Sequence, residues 1–259
     1  MAKYRYEMHV HCVEGSACGK STAAEMVRAF ADAGYAGFVL TDHSVCGNAR
    51  VGWEYSWEER IASYRDAYLS AKAVGDAIGF TVLFGWEHHY ARGKWESVYG
   101  HGKEVLTYGI TPEFLLAHPE IAECSLEEYL DLVHSVGGLV VHAHPFRVRG
   151  YIDTSIPPVF EGLDGLEIYN AGNNPEDNLP AYRKARELGL SMISGADAHH
   201  TEQNVGLSGM EFDAPIHNND ELVAAIRAKI GRPVILGKVM QNEAETEQLL
   251  TEMLEMGEE

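Results

Sequence analysis

Residues 4–11 read YRYEMHVH, a strand-like run that ends by placing two imidazoles, His9 and His11, two positions apart. In an extended strand, residues i and i+2 share a face, so both rings can address one ion. The same event recurs down the chain. Gly37 to Thr41 ends in Asp42-His43, Phe80 to Gly85 delivers Glu87, Leu139 to Val141 delivers His142 and His144, and Ser191 to Ser194 leads into Asp197 and His199. Strand ends gathered on one rim would bring these clusters together, whereas the same residues in mid-strand would alternate between faces.

The stretches between these runs are helical in pattern: Ser21 to Gly34, Glu54 to Ile78, Ser125 to Val136, Asn178 to Leu188 and Asp220 to Ile230. Glu104 to Gly109, Asp164 to Tyr169 and Pro233 to Leu236 read as further strands. The alternation predicts an α/β fold wound around a mostly parallel sheet. Residues 1–238 are expected to form one domain, and the Glu- and Gln-rich residues 239–259 an acidic C-terminal helix or tail.

The composition is that of a soluble globular protein, with 46% hydrophobic and 23% charged residues and no long apolar run, so no membrane partner is expected. The opening MAKYRYEMHV lacks a secretory signal pattern, and the expected location is cytoplasmic. Thirty-nine acids against 20 bases leave a formal charge of −19, which argues against duplex nucleic acid as a partner. A small phosphorylated substrate stays compatible, because divalent ions reverse the potential locally. The four cysteines form no C-x-x-C pair and are read as thiols. Gly19-Lys20-Ser21-Thr22 lacks the earlier glycine of a phosphate loop.

The motifs HVHCVEGSACGKSTAAEMVRAFADAGYAGFVLTDH, GWE, VHAHPFR, GLEIYN and SGADAHH, in this order over roughly residues 6–206, resemble those of the polymerase and histidinol phosphatase (PHP) family. The resemblance implies a distorted (β/α)7 barrel with two or three divalent metals (Mn, Zn, Fe or Mg) at the carboxyl ends of the strands, and phosphoester hydrolysis. Carried over by position, it implies His9, His11, Glu87 and Asp197 around one metal. Glu87 and His144 would hold a second, with Glu87 shared, and His43 and His199 a third.

Two positions depart from the family's common pattern. Where a histidine often precedes a strand, this chain has Glu104, with His101 three residues earlier; Glu104 is the preferred ligand and would favour a harder ion. Where a third-site histidine is common, Ser16-Ala17-Cys18 offers a thiol, which suits Zn²⁺ or is simply a small apolar residue.

Around these ligands, Asp42 is placed to orient one of them. Arg147 and Asn170 are candidate substrate contacts, and Glu87, His142 and Asp197 candidate catalytic residues, with His142 either touching phosphate or lying behind the ligands. His88 and His89 are less defined, and His118, His134 and His217 are read as surface residues. The insert with Arg50, Trp53, Tyr55 and Trp57 is expected to overhang the mouth or to anchor its own underside. The expected reaction is hydrolysis of a small phosphomonoester by a metal-activated water. A nuclease on short single strands, an amidohydrolase and a non-catalytic metal-binding module are the alternatives.

Overall fold

The computed structural model describes residues 3–90, 103–150, 152 and 154–257. The chain runs β1 (Tyr4–Val10), α1 (Ala23–Asp32), β2 (Gly37–Leu40), α2 (Trp57–Ile78), β3 (Thr81–Tyr90), β4 (Lys103–Tyr108), α3 (Pro112–Ala117), α4 (Leu126–Ser135) and β5 (Leu139–His142). It continues with β6 (Gly165–Asn170), α5 (Pro175–Leu188), β7 (Ser191–Gly195), β8 (Met210–Phe212), α6 (Asn219–Arg227), β9 (Arg232–Ile235), β10 (Lys238–Val239) and α7 (Glu243–Gly257). Helix starts are set by side chains that satisfy the first free backbone amides. Thr22 with Glu25, Ser56 with Glu59 and Ser125 with Glu128 each form a reciprocal capping box.

All the strands belong to one sheet, in the order β10-β9-β8-β1-β2-β3-β4-β5-β6-β7. β1, β2 and β3 run parallel, as do β5, β6 and β7. The sheet curls until the chain just beyond β7 meets β1: Ala198 forms a parallel bridge with Val10, and the His11 amide donates to the Ala198 carbonyl at 2.9 Å. The architecture is therefore mixed α/β around a curled sheet, and it departs from the regular (β/α)7 alternation in two places. β4 is antiparallel to both neighbours, and β8 to β10 add an antiparallel extension beside β1. The reversal at β4 has a physical reason in the sequence. A parallel return needs a crossover of a dozen or more residues, usually helical, and only the twelve residues ARGKWESVYGHG separate β3 from β4.

Strand alternation sorts the side chains. Tyr6, Met8, Leu83, Leu106, Leu139, Val141 and Ile193 meet inside the curl, covered by Leu222, Val223 and Ile226 of α6. Phe84, Trp86, Val105, Val140 and Leu166 face outward under the helices. Glu87 and Glu104 share strand parity with Leu83 and Leu106, and so stand on the inner face above that core. α7 packs on α5, where the Tyr182 hydroxyl donates to the Glu243 carbonyl and Arg186 pairs with Glu247 at 2.7 Å. Among the described residues, no helix is long and apolar enough to cross a membrane.

Candidate metal centre

His9 and His11 leave the end of β1 fully buried, flanking Val10, which packs in the outer layer. The rings converge, with their Nε2 atoms 3.0 Å apart. Around that point lie Asp197 Oδ1, 3.2 Å from His11 Nε2, and the two oxygens of Glu87, each 3.4 Å from one of the rings. The far side of Glu87 faces His144, 3.0 Å away, and His43, 2.9 Å away. Glu104 completes this side, 3.2 Å from His43 and 3.6 Å from His144. Glu104 stands at the start of its strand rather than at the end. Because β4 runs against its neighbours, its beginning shares a rim with their carboxyl ends. His101, the alternative ligand, lies outside the described residues.

The donors group into four overlapping sets: His9, His11 and Asp197; His9, Glu87 and His144; His43, Glu87 and Glu104; and His11, His43 and His199. Glu87 stands in two of them, at the middle. Cys18 belongs to the remaining side of the centre, where His199 and His43 act on its thiol. The donor set fits divalent ions on an observation internal to the site. His43 Nδ1 and Glu87 Oε2 are buried 2.9 Å apart, yet neither has an aligned hydrogen-bond partner. Unsatisfied polar atoms are costly in such a place unless a ligand takes them up.

Electrostatics agree with the geometry. Burial opposes ionisation of Glu87, yet His9, His43 and His144 hold its carboxyl well below the usual range. Burial likewise opposes ionisation of Asp197, and His9 and Arg147 overcome it. Glu104 is also held low against its burial and the nearby Glu87 charge, by His43 and His89. Burial pushes His11 down to about 3. Burial raises the Cys18 thiol, but its bonds to His199 and His43 more than offset this and bring it to about 7. Backbone strain marks the same place: His144 (φ 29°) and Asp197 (φ 52°) adopt left-handed conformations that non-glycine residues rarely take.

The surrounding residues set which ring nitrogen faces inward. His11 Nδ1 donates to Ser16 Oγ at 3.1 Å, and that hydroxyl donates to Asp42 at 2.6 Å. Asp42 thus acts through Ser16 on the ring of His11, and the same hydroxyl accepts the His43 backbone amide at 3.0 Å. Gly15 makes the arrangement possible, since a Cβ there would lie 2.3 Å from the Asp42 carboxyl. His199 Nδ1 donates to the Asp197 carbonyl at 2.8 Å. Arg147 turns inward, 2.7 Å from Asp197 Oδ2, and donates to Asn170 at 2.9 Å and to Asn173 at 2.6 Å.

Other candidates are placed away from the cluster. His142 bonds the Tyr90 hydroxyl and the Ala143 carbonyl, both at 3.0 Å, because β5 ends there and the chain turns before His144. His88 stacks on Tyr129 with ring centroids 4.0 Å apart. His134, expected at the surface, is half-buried and pins Asp164 at 2.9 Å. In the insert, Trp57 is buried and its indole donates to the Leu115 carbonyl, Trp53 covers Arg60, and Tyr55 is exposed. Only the insert's first part reaches the site, where Ala49 bridges to Ser16.

Sequence reasoning passed over Glu167, which receives His9 Nδ1 at 3.0 Å, and Ser16. A signal for Glu167 existed. An acid in the middle of the otherwise apolar run GLEIYN is costly to bury unless something partners it.

Residues 175–229 match a family model described as PHP-associated. No curated protein matches the chain in sequence. Among solved structures, the fold resembles a protein from Bifidobacterium adolescentis assigned as a metal-dependent phosphoesterase, at 17% identity and a TM-score of 0.53, covering 86% of this chain and 96% of that one. It also resembles a two-domain protein from Bacteroides vulgatus with an assigned PHP-like metal-dependent phosphoesterase, at 14% identity and a TM-score of 0.63, covering 97% and 70%. A third is an amidohydrolase from Chromobacterium violaceum with bound sulfate, at 17% identity and a TM-score of 0.56, covering 86% and 96%. The family model thus covers residues 175–229 of the chain, and the solved structures share its mixed α/β fold.

Proposed function

We propose that the protein hydrolyses a phosphoester of a small molecule, a phosphomonoester, using two or three divalent ions (Mn, Zn, Fe or Mg) held by residues at the strand ends. The observation that carries this reading is Glu87. One buried carboxylate stands 2.9 to 3.4 Å from the imidazoles of His9, His11, His43 and His144, the placement of a group that bridges adjacent ions. The phosphoesterase assignments of two of the structural relatives support it.

His9, His11, Glu87 and Asp197 would hold one ion, Glu87, Glu104 and His144 a second, and Cys18, His43 and His199 a third. Bound divalent ions supply charge neutralisation of phosphoryl oxygens and acidify water towards neutral pH. The chain's own residues supply the remainder. His9, His11 and Glu87 are shut away from solvent, whereas the side chains of Glu104 and His199 retain 15% and 20% exposure, so substrate approaches from their side. Arg147 offers a planar set of N–H donors beside Asp197 for a non-bridging phosphate oxygen, with Asn170 holding the guanidinium in place. No serine or cysteine nucleophile is required. The charge of −19 supports a small substrate over duplex nucleic acid, and a cytoplasmic location is part of the same proposal.

The test is inorganic phosphate release from phosphorylated sugars, amino-alcohol phosphates and mono- and bisphosphorylated nucleosides, with metal-stripped protein and after reloading with Mn²⁺ or Zn²⁺. Metal-dependent release from one group supports the reading and identifies the substrate class. Metal binding without release from any of them would refute it, and turn attention to phosphodiester or C–N hydrolysis or to a regulatory module.

A further inference from the structure

We propose that Glu167 is the positioning residue that makes His9 a ligand and couples the His9 corner of the centre to the His144 corner; the inference rests on the metal-dependent reading above. Its two oxygens do different work. Oε1 receives His9 Nδ1 at 3.0 Å, while Oε2 receives the His144 backbone amide at 2.8 Å and Asn170 Nδ2 at 2.9 Å.

All three partners are donors, and a carboxylate can accept on both sides. With its proton held on Nδ1, a neutral His9 carries its lone pair on Nε2. That atom faces the centre, 3.0 Å from His11 Nε2, 3.4 Å from Glu87 and 3.5 Å from Asp197. At the other oxygen, the bond to the His144 amide holds a residue whose φ of 29° is unfavourable, and so keeps its Nε2 3.0 Å from Glu87. Glu167 and His9 are fully buried, and Gly195 provides the room: a Cβ there would lie 2.3 Å from Glu167 Oε1 and 2.7 Å from the His9 Cβ. His11 is oriented by a neutral hydroxyl and His199 by a backbone carbonyl. Among these supports, only the Glu167 carboxylate serves two corners.

Glu167→Gln is the matching test, because an amide keeps the shape but offers one acceptor and one donor. If its NH₂ faces His9, the ring proton must move to Nε2, the nitrogen needed for metal. If it faces the other way, the bonds to His144 and Asn170 are lost. The expected result is a loss of about 10–100-fold in affinity for Zn²⁺ or Mn²⁺, read by competition with a chromophoric chelator, with the metal-free protein still folded by far-ultraviolet circular dichroism. Gly195→Ala, whose Cβ would press on both the carboxylate and His9, should lower affinity in the same direction. In the Zn²⁺-loaded wild-type protein, nitrogen-15 spectra of the imidazoles should show an exchange-protected proton on His9 Nδ1. Wild-type affinity in both variants, or a wild-type protein with that proton on Nε2, would overturn the proposal. These readouts follow metal and ring protons, not turnover. A protein that binds metal as described yet releases no phosphate would refute the phosphoesterase reading and leave this one standing.

Discussion

Arg147 Nη2 lies 2.7 Å from Asp197 Oδ2, so the guanidinium proposed to meet substrate phosphate is already the counter-ion of a proposed metal ligand. Together with His9, whose effect is larger, the pairing holds the Asp197 carboxyl well below the usual range against its burial. It also sets Arg147 as a rigid donor array, fixed from behind by Asn170 and Asn173. Arg147→Lys keeps the charge but loses the planar fork. It is expected to raise KM by about tenfold, the worth of one charge-assisted hydrogen bond, with a smaller fall in kcat. Steady-state kinetics on the best substrate check this, and unchanged KM would remove Arg147 from the substrate site.

His9→Ala and Asp197→Ala should each lower turnover by more than the about 100-fold that follows loss of an outer-sphere partner, because each removes a donor from the centre itself. Stripping metal with a chelator should abolish wild-type activity while leaving the fold in place, since the cores inside and outside the sheet do not depend on the centre. Phosphate release and far-ultraviolet circular dichroism, measured together, separate loss of activity from unfolding.

The Cys18 corner differs chemically from the Glu87–Glu104 side. Its thiol, brought to about 7 by His199 and His43 against burial, is readily available as a soft donor. Loading with Co²⁺ should therefore give a near-ultraviolet thiolate-to-cobalt band that Cys18→Ser removes. The other nearby thiol, Cys12, bonds Asp42 and is pushed well up by burial, so Cys12→Ser should retain the band. A band that survives Cys18→Ser would place sulfur ligation elsewhere.

His88 is buried against Tyr129 and Trp86, and burial lowers its pKa to about 3 from 6.5. Between these values the unfolded chain holds a proton that the folded protein refuses. This contribution to stability is complete above pH 6.5 and is lost as pH falls towards 3, at up to about 1.4 kcal/mol per pH unit. His88→Phe should flatten the acid limb of the unfolding free energy measured in urea on metal-free protein. An unchanged slope would show that His88 accepts a proton in the folded state.

The alternation of strand-like and helix-like runs, and the His and acid clusters at their ends, were legible because both are local. A two-residue repeat decides that His9 and His11 face one way, and a dipeptide decides that Asp42 and His43 sit together. The sequence by itself therefore marked candidates, and in the structure His9, His11, His43, Glu87, Glu104, His144, Asp197 and His199 lie close enough together to form overlapping donor sets. Tertiary structure decided how they are held. The reversal of β4 puts Glu104 at the start of a strand yet on the common rim. The end of β5 at His142 sends that ring to Tyr90 while His144 turns inward. Glu167, 158 residues from His9 in the chain, becomes its hydrogen-bond partner only because the sheet curls β6 and β7 round to β1. Local periodicity specifies the face on which a side chain lies. Partners across the curl depend on strand order and register, which are set by packing of the whole core.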